Sequence, residues 1–208
     1  MSTLLHVSAS PRGAESESLA LAEAFVTTYQ QTHPGDPVEH WDLWDGSLPE
    51  FGPAAATAKM AVFGGTGFDE TQAVAWRSVE AAFARFDSAS RYLFSVPMWN
   101  AGVPYVLKQF IDVVSQPGMI FGFDPHDGYT GLLADKKAAV IYTGGVYGPD
   151  RGPGFGADFQ TSFFEDWLRW AGVTEIEPIH FRPNLVTADP AAGRRAAAEQ
   201  ARDVATKF

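Results

Sequence analysis

Apolar and polar positions along this chain follow two periods. Short apolar runs at residues 4–9, 38–43, 91–96, 137–142 and 175–181 predict five strands. Those at 4–9, 91–96 and 137–142 are apolar at nearly every position, as in strands covered on both faces. The run at 38–43 alternates instead. Between the runs the spacing changes to that of helices. Leu19, Ala22, Phe25, Val26 and Tyr29 predict a helix over 18–32; Ala73, Trp76, Val79, Ala82, Phe83 and Phe86 predict one over 69–87. Further helices are expected at 54–62, 105–116, 159–171 and 190–207, with Val106, Phe110, Val113 and Val114 forming the core side of the fourth. Pro34-Gly35-Asp36-Pro37 breaks the chain, and Gly64-Gly65-Thr66-Gly67 makes a turn. Residues 117–132 form a long aromatic, glycine-rich connection, and 149–156 a second loop rich in glycine and proline. Strand and helix therefore alternate, which predicts an α/β fold. Its core is a doubly wound five-stranded parallel sheet, order 2-1-3-4-5, with helices on both faces. No repeat or shift of composition divides the chain, so 1–208 is expected to be a single domain.

Composition narrows the function. Hydrophobic residues make up 46% of the 208, enough for one sizeable core. The formal net charge is −10, from 25 acidic and 15 basic residues. That disfavours nucleic acid, whose binding depends on clustered Lys and Arg. A single local phosphate remains possible, because backbone N–H groups can hold it. With no cysteine, disulfides, thiolate metal sites and thiol catalysis are excluded. No charged leader precedes Leu4-Leu5-His6-Val7, so a signal peptide is not expected. No run approaches the ~18 consecutive apolar residues of a membrane span. A soluble cytoplasmic protein is the expectation.

Chemistry concentrates in three loops that follow strands one, three and four. In a parallel sheet the carboxyl ends of the strands share one rim, where ligands bind. The first loop, Ser8 to Ser18, offers Ser10, Ser16 and Ser18 hydroxyls and the Arg12 guanidinium around a helix start. Such a start presents unpaired N–H groups and a positive dipole end. Plain helix capping, with Ser16 or Ser18 as N-cap and Glu17 in the first turn, explains the same residues. Neither the dinucleotide fingerprint nor the P-loop is present. The second loop, Pro97-Met98-Trp99-Asn100-Ala101-Gly102-Val103-Pro104, is stiffened by two prolines and carries a flat ring and an amide. It suits a flat heteroaromatic ligand; its bland reading is a proline-bounded connection with a surface Trp. The third, Thr143-Gly144-Gly145-Val146-Tyr147, lets backbone approach a ligand and offers paired N–H groups, or is simply a tight turn. A phosphate held at one helix start and a flat polar ring held by two neighbouring loops describe FMN; a dinucleotide lacks a site for its second phosphate.

The Ser-Pro-Arg and Ser-x-Ser first loop, the Pro-Met-Trp-Asn and Gly-Val-Pro loop and the Gly-Gly after strand four resemble the FMN-dependent NADH azoreductases. These belong to the flavodoxin-like quinone reductases. The likeness extends over nearly the whole chain, through Lys108-Gln109-Phe110-Ile111-Asp112, Gly118-Met119-Ile120-Phe121 and Gly131-Leu132-Leu133. It implies a homodimer with two FMN sites at the subunit interface. It also implies ping-pong chemistry, in which NADH or NADPH reduces FMN and an azo dye or quinone then enters the same cleft. Ser10, Ser16, Glu17 and Ser18 match the family's phosphate turn, and Pro97, Met98, Trp99, Asn100 and Ala101 its ring loop. Thr143, Gly144 and Gly145 match the loop at the pyrimidine edge. Phe121 and Phe123 match aromatic positions of the substrate cleft, presented to the neighbouring subunit's flavin.

Ala101 stands where the family usually has Phe, which widens the site, and Thr143 where many relatives carry a polar or basic residue. A competing class is a flavodoxin-type electron carrier, which binds FMN without oxidising NAD(P)H; the Arg12 loop and the aromatic 117–132 connection argue against it. A third is a non-flavin α/β binding module. No side chain is needed as a catalytic nucleophile, since the flavin carries the chemistry. His126 is the one histidine considered as a proton donor, and it is read instead as a solvated loop residue. The Asp124, His126, Asp127 run is rejected as a metal site. Arg12, Lys59 and Arg151 are the candidates for a nicotinamide 2′-phosphate.

Overall fold

The computed structural model describes residues 2–145 and 152–208. Five strands, β1 (Leu4–Ser8), β2 (Val38–Asp42), β3 (Arg91–Pro97), β6 (Lys137–Thr143) and β7 (Glu175–Phe181), form one parallel sheet in the order β2-β1-β3-β6-β7. That is the expected 2-1-3-4-5 arrangement, with a hairpin added between the third and fourth sheet strands. The helices are α1 (Glu17–Thr32), α2 (Pro53–Gly64), α3 (Glu70–Asp87), α4 (Tyr105–Val114), α5 (Phe159–Ala171) and α6 (Pro190–Lys207). Central strands β1, β3 and β6 are buried along nearly their whole length, whereas the edge strands β2 and β7 carry several exposed positions.

Alternation of side chains across the strands divides the core in two. Leu4, Leu93, Ala139, Ile141 and Ile179 pack beneath α1 and α6 against Phe25, Ala197 and Ala201. Leu5, Val7, Tyr92, Phe94 and Val140 pack on the other face against Phe86 of α3, Phe110 of α4 and Phe164 of α5. The apolar side of α4 is wider than its spacing suggests, because Leu107 and Ile111 are buried beside the four expected residues. That helix stops at Val114, short of the expected 116, because the buried Gln116 turns back: its Nε2 donates to the carbonyls of Asp112 (2.6 Å) and Val113 (3.0 Å).

The connection at 117–132 contains regular structure. Strands β4 (Phe121–Asp124) and β5 (Gly128–Gly131) pair antiparallel. The hairpin sits on the carboxyl end of α5: a Cβ on Gly131 would lie 2.4 Å from the Gly172 nitrogen, and the Leu133 N–H donates to the Ala171 carbonyl at 3.0 Å. At the hairpin turn the Asp124 carboxylate accepts from the His126 and Asp127 N–H groups at 2.7 and 3.1 Å. Those amides hold its pKa below the usual carboxylate range. The Asp-x-His-Asp run thus makes a turn, and exposed His126 belongs to it. No helix among the described residues is long and apolar enough to cross a membrane.

Candidate functional site

The carboxyl ends of β1, β3, β6 and β7 enclose a cleft of about 280 Å³. That is close to the lower end of small-ligand sites, ~300–1,000 Å³. It is lined by Ser10, Arg12, Ser16 and Glu17 from the first loop, Pro97, Met98 and Trp99 from the second, and Thr143, Gly144 and Gly145 from the third. The three loops singled out in the sequence therefore meet at one place. Phe181 and Pro183, at the end of β7, complete the wall.

The ladder of the sheet continues past the strand ends and fixes these loops. The Ala9 N–H donates to the Ser95 carbonyl (3.0 Å), Met98 to Thr143 (2.6 Å) and Gly144 to Phe181 (3.2 Å). The Gly144 amide is therefore committed to the wall, so the expected pair of glycine donors is reduced to that of Gly145. A Cβ on Gly144 would meet the Met98 Cβ at 3.2 Å, so a side chain there would have to push Met98 aside.

At the first loop, Ser16 resolves the capping alternatives. It is the N-cap of α1, with Oγ accepting from the Leu19 N–H at 3.3 Å. Residues 11–15 are all exposed and bury no side chain. Buried Ser10, Ser16 and Ser18 therefore anchor the segment. Ser10 lines the cleft and is 4% exposed, and its buried hydroxyl has no hydrogen-bond partner among the described residues. Ser18 does not reach the cleft: it is fully buried, and its hydroxyl hydrogen-bonds that of Ser16 at 3.1 Å. The Glu17 carboxylate is paired with Arg194 of α6.

At the second loop, Trp99 and Gly102 exchange both backbone hydrogen bonds at 2.9 Å, leaving Asn100 and Ala101 as a two-residue turn with φ of 48° and 67°. Two positive φ values at such a turn are the type I′ pattern. Two consequences follow for the ring loop. The Trp99 amide is engaged by Gly102, so it is not a free donor for a ring. Asn100 and Ala101 stand at the turn tip rather than on the cleft lining. The Trp99 ring packs in one cluster with Trp44 (5.7 Å) and Tyr105 (6.1 Å), and the Trp44 indole N–H donates to the Ala9 carbonyl at 3.0 Å. From behind, the Phe159 N–H donates to the Ala101 carbonyl and Gln160 Nε2 to the Val96 carbonyl, at 3.0 and 2.7 Å. Arg182 braces this helix start against Asp158 at 2.8 Å.

Phe121 and Phe123 lie elsewhere. Phe121 is buried against Trp170, ring centres 4.9 Å apart, and Phe123 is exposed on β4; neither lines this cleft, because the hairpin is seated on α5. Of the 2′-phosphate candidates, Arg12 is exposed at the cleft, whereas the Lys59 ammonium donates to the Ser115 carbonyl at 3.1 Å. Arg151 and residues 149 and 150 of the 149–156 loop fall outside the described residues, as do Val146 and Tyr147. Trp44, Phe181 and Pro183 were not singled out in the sequence. The signal was present: they stand at or just past the ends of β2 and β7, and the shared-rim rule applies to every strand of the sheet.

Comparison with known proteins agrees with this geometry. The flavodoxin-like fold family matches residues 2–205. An FMN-dependent NADH:quinone oxidoreductase of Ruegeria pomeroyi is 44% identical over 193 residues, covering 93% of this chain and 95% of that protein. Another, of Nitratidesulfovibrio vulgaris, is 39% identical over 211 residues and the full length of both. The crystal structure of an azoreductase from Bacillus anthracis strain Sterne superposes with a TM-score of 0.90 at 30% identity, covering 100% of both chains. The chain belongs to the flavodoxin-like family that includes these FMN-dependent NADH:quinone oxidoreductases and azoreductases.

Proposed function

We propose that this protein is an FMN-dependent oxidoreductase that takes two electrons from NADH or NADPH and delivers them to a quinone or an azo compound. The observation that carries the reading is the convergence of an anion-binding pole and a ring-binding wall on one cleft. The residues present fit FMN. The buried Ser10 hydroxyl, without a partner among the described residues, is a donor available to an acceptor near the start of α1, where the first amides have no carbonyl within the helix. Gly144 leaves main chain facing the cleft, packed closely on Met98. FMN, when bound, supplies two-electron chemistry between a nicotinamide and an acceptor.

The chain's own residues do the rest. Ser10, Ser16, Arg12 and the first turn of α1 would hold the phosphate. Arg194 pairs Glu17 and so offsets a carboxylate that would otherwise repel that phosphate. Pro97, Met98 and Trp99 would carry the ring on a wall braced by Trp44, Tyr105 and α5. Thr143, Gly144 and Gly145 would close its polar edge. Nicotinamide and acceptor would use the open side of the cleft in turn, which makes the kinetics ping-pong. The reading includes a single domain over 1–208, a cytoplasmic setting and a homodimer. In that dimer, exposed Phe123 on the hairpin would face the neighbouring subunit's cleft.

Stopped-flow mixing of the FMN-loaded protein with NADH tests the reading. Bleaching of the yellow absorbance, followed by its return on adding a benzoquinone or methyl red, is expected. A protein that binds FMN but is not bleached would be an electron carrier; one that retains no FMN would overturn the proposal. Light scattering during gel filtration checks the dimer.

A further inference from the structure

On the α1 face of the sheet lies a polar chain that the cleft lining does not include. His6 of β1 is buried, and its Nε2 is 2.8 Å from the Ser95 hydroxyl of β3. The Ser95 hydroxyl in turn donates to the Ser18 carbonyl at 3.3 Å, in the first turn of α1. On its other side, His6 Nδ1 is 3.1 Å from Nδ1 of His40, which is exposed on edge strand β2. The protons in this chain have one consistent arrangement. A carbonyl only accepts, so the single Ser95 hydrogen goes to Ser18, and His6 Nε2 must be the donor to Ser95. Burial first, and His40 second, push the His6 pKa down to about 3, so the ring is neutral and its Nδ1 is bare. His40 Nδ1 is then the donor to His6.

The chain ends where an anchor matters. The loop before α1 is exposed over 11–15 and buries nothing of its own. The Ser18 hydroxyl meets that of Ser16, the N-cap that lines the cleft. A buried polar line thus runs from the middle of the sheet to the serines at the anion pole.

We infer that His6 and Ser95 are positioning residues, clamping the first turn of α1 to the sheet in the orientation that receives the cofactor's phosphate. The inference rests on the FMN reading above. Neither residue would touch the cofactor; both act through Ser18 and Ser16. The dependence should therefore be specific to the phosphate, which riboflavin lacks while keeping the ring.

Titration of flavin fluorescence against apoprotein tests this with FMN and riboflavin in parallel. Ser95→Ala and His6→Leu should raise the Kd for FMN about threefold to tenfold, the range for one lost neutral hydrogen bond, with the Kd for riboflavin unchanged. His6→Gln, whose amide nitrogen can occupy the Nε2 position, should stay within about twofold of the wild type for FMN, since it keeps that bond. Equal weakening of both flavins, or no weakening of FMN, would overturn the inference. Failure of the wild type to bind FMN would instead overturn the functional reading, and this inference with it. If a variant does not fold, nitrogen NMR of the wild-type imidazoles replaces it. His6 should be the Nε2–H tautomer and shift on adding FMN but not riboflavin; an Nδ1–H tautomer or no FMN-specific shift would refute the clamp.

Discussion

Ser10 shows most plainly how a single residue links chemistry to stability. A buried hydroxyl with no partner costs ~1–3 kcal/mol. Ser10→Ala should therefore make the apoprotein more stable by about 1 kcal/mol in urea denaturation. The same variant should weaken FMN binding by about tenfold or more, since a hydrogen bond to a charged phosphate is lost. Loss of apoprotein stability would show that the hydroxyl has a different role. Ala101 carries the opposite kind of burden. Its φ of 67° places a Cβ in the left-handed region, at ~1–2 kcal/mol. Ala101→Gly relieves that strain but gives the unfolded chain ~0.5–1 kcal/mol of extra freedom. A net gain of about 0.5–1 kcal/mol is expected, read as a small rise in Tm. A fall would mean that the alanine methyl makes a contact the turn needs.

At the scale of elements, most of the fold was legible because period and length agree. α5, α6 and β7 occupy the predicted spans, and the sheet order followed from strand–helix alternation. The β4–β5 hairpin was not legible. Its strands have four residues each and carry three glycines between them, so periodicity has almost nothing to act on. What holds it is tertiary: Gly131 against the end of α5. Gly131→Ala should cost ~2–3 kcal/mol as backbone is forced apart, a fall in Tm of roughly 5–10 °C for a chain of this size. An unchanged Tm would show that the hairpin is not seated there. The candidate site was legible loop by loop, since ten of its lining residues fall in the three loops chosen from sequence. Two things were hidden. Whether an amide such as that of Trp99 or Gly144 is free depends on cross-strand pairing, and the Trp44 contact depends on how β2 ends.

For the whole molecule, His6 makes stability depend on pH. Its folded pKa, about 3, lies below the ordinary value of 6.5. The unfolded chain therefore binds the proton more readily, and stability falls as pH drops from 6.5 toward 3. At pH 4.5 the loss amounts to about 2–3 kcal/mol relative to pH 7. His6→Gln should remove that much of the acid sensitivity, measured as the difference in urea unfolding free energy between the two pH values. An identical acid slope in both proteins would mean that His6 is not kept neutral.

Main-chain bonds that run one step beyond the strands, from Ala9 to Ser95, Met98 to Thr143 and Gly144 to Phe181, join the rim without help from any small molecule. The socket is consequently built during folding, not by its guest. Stripping the flavin should leave the far-ultraviolet dichroism intact. Reassociation should follow one exponential whose rate climbs linearly with flavin concentration; a plateau would betray a rearrangement that this bonding leaves no need for.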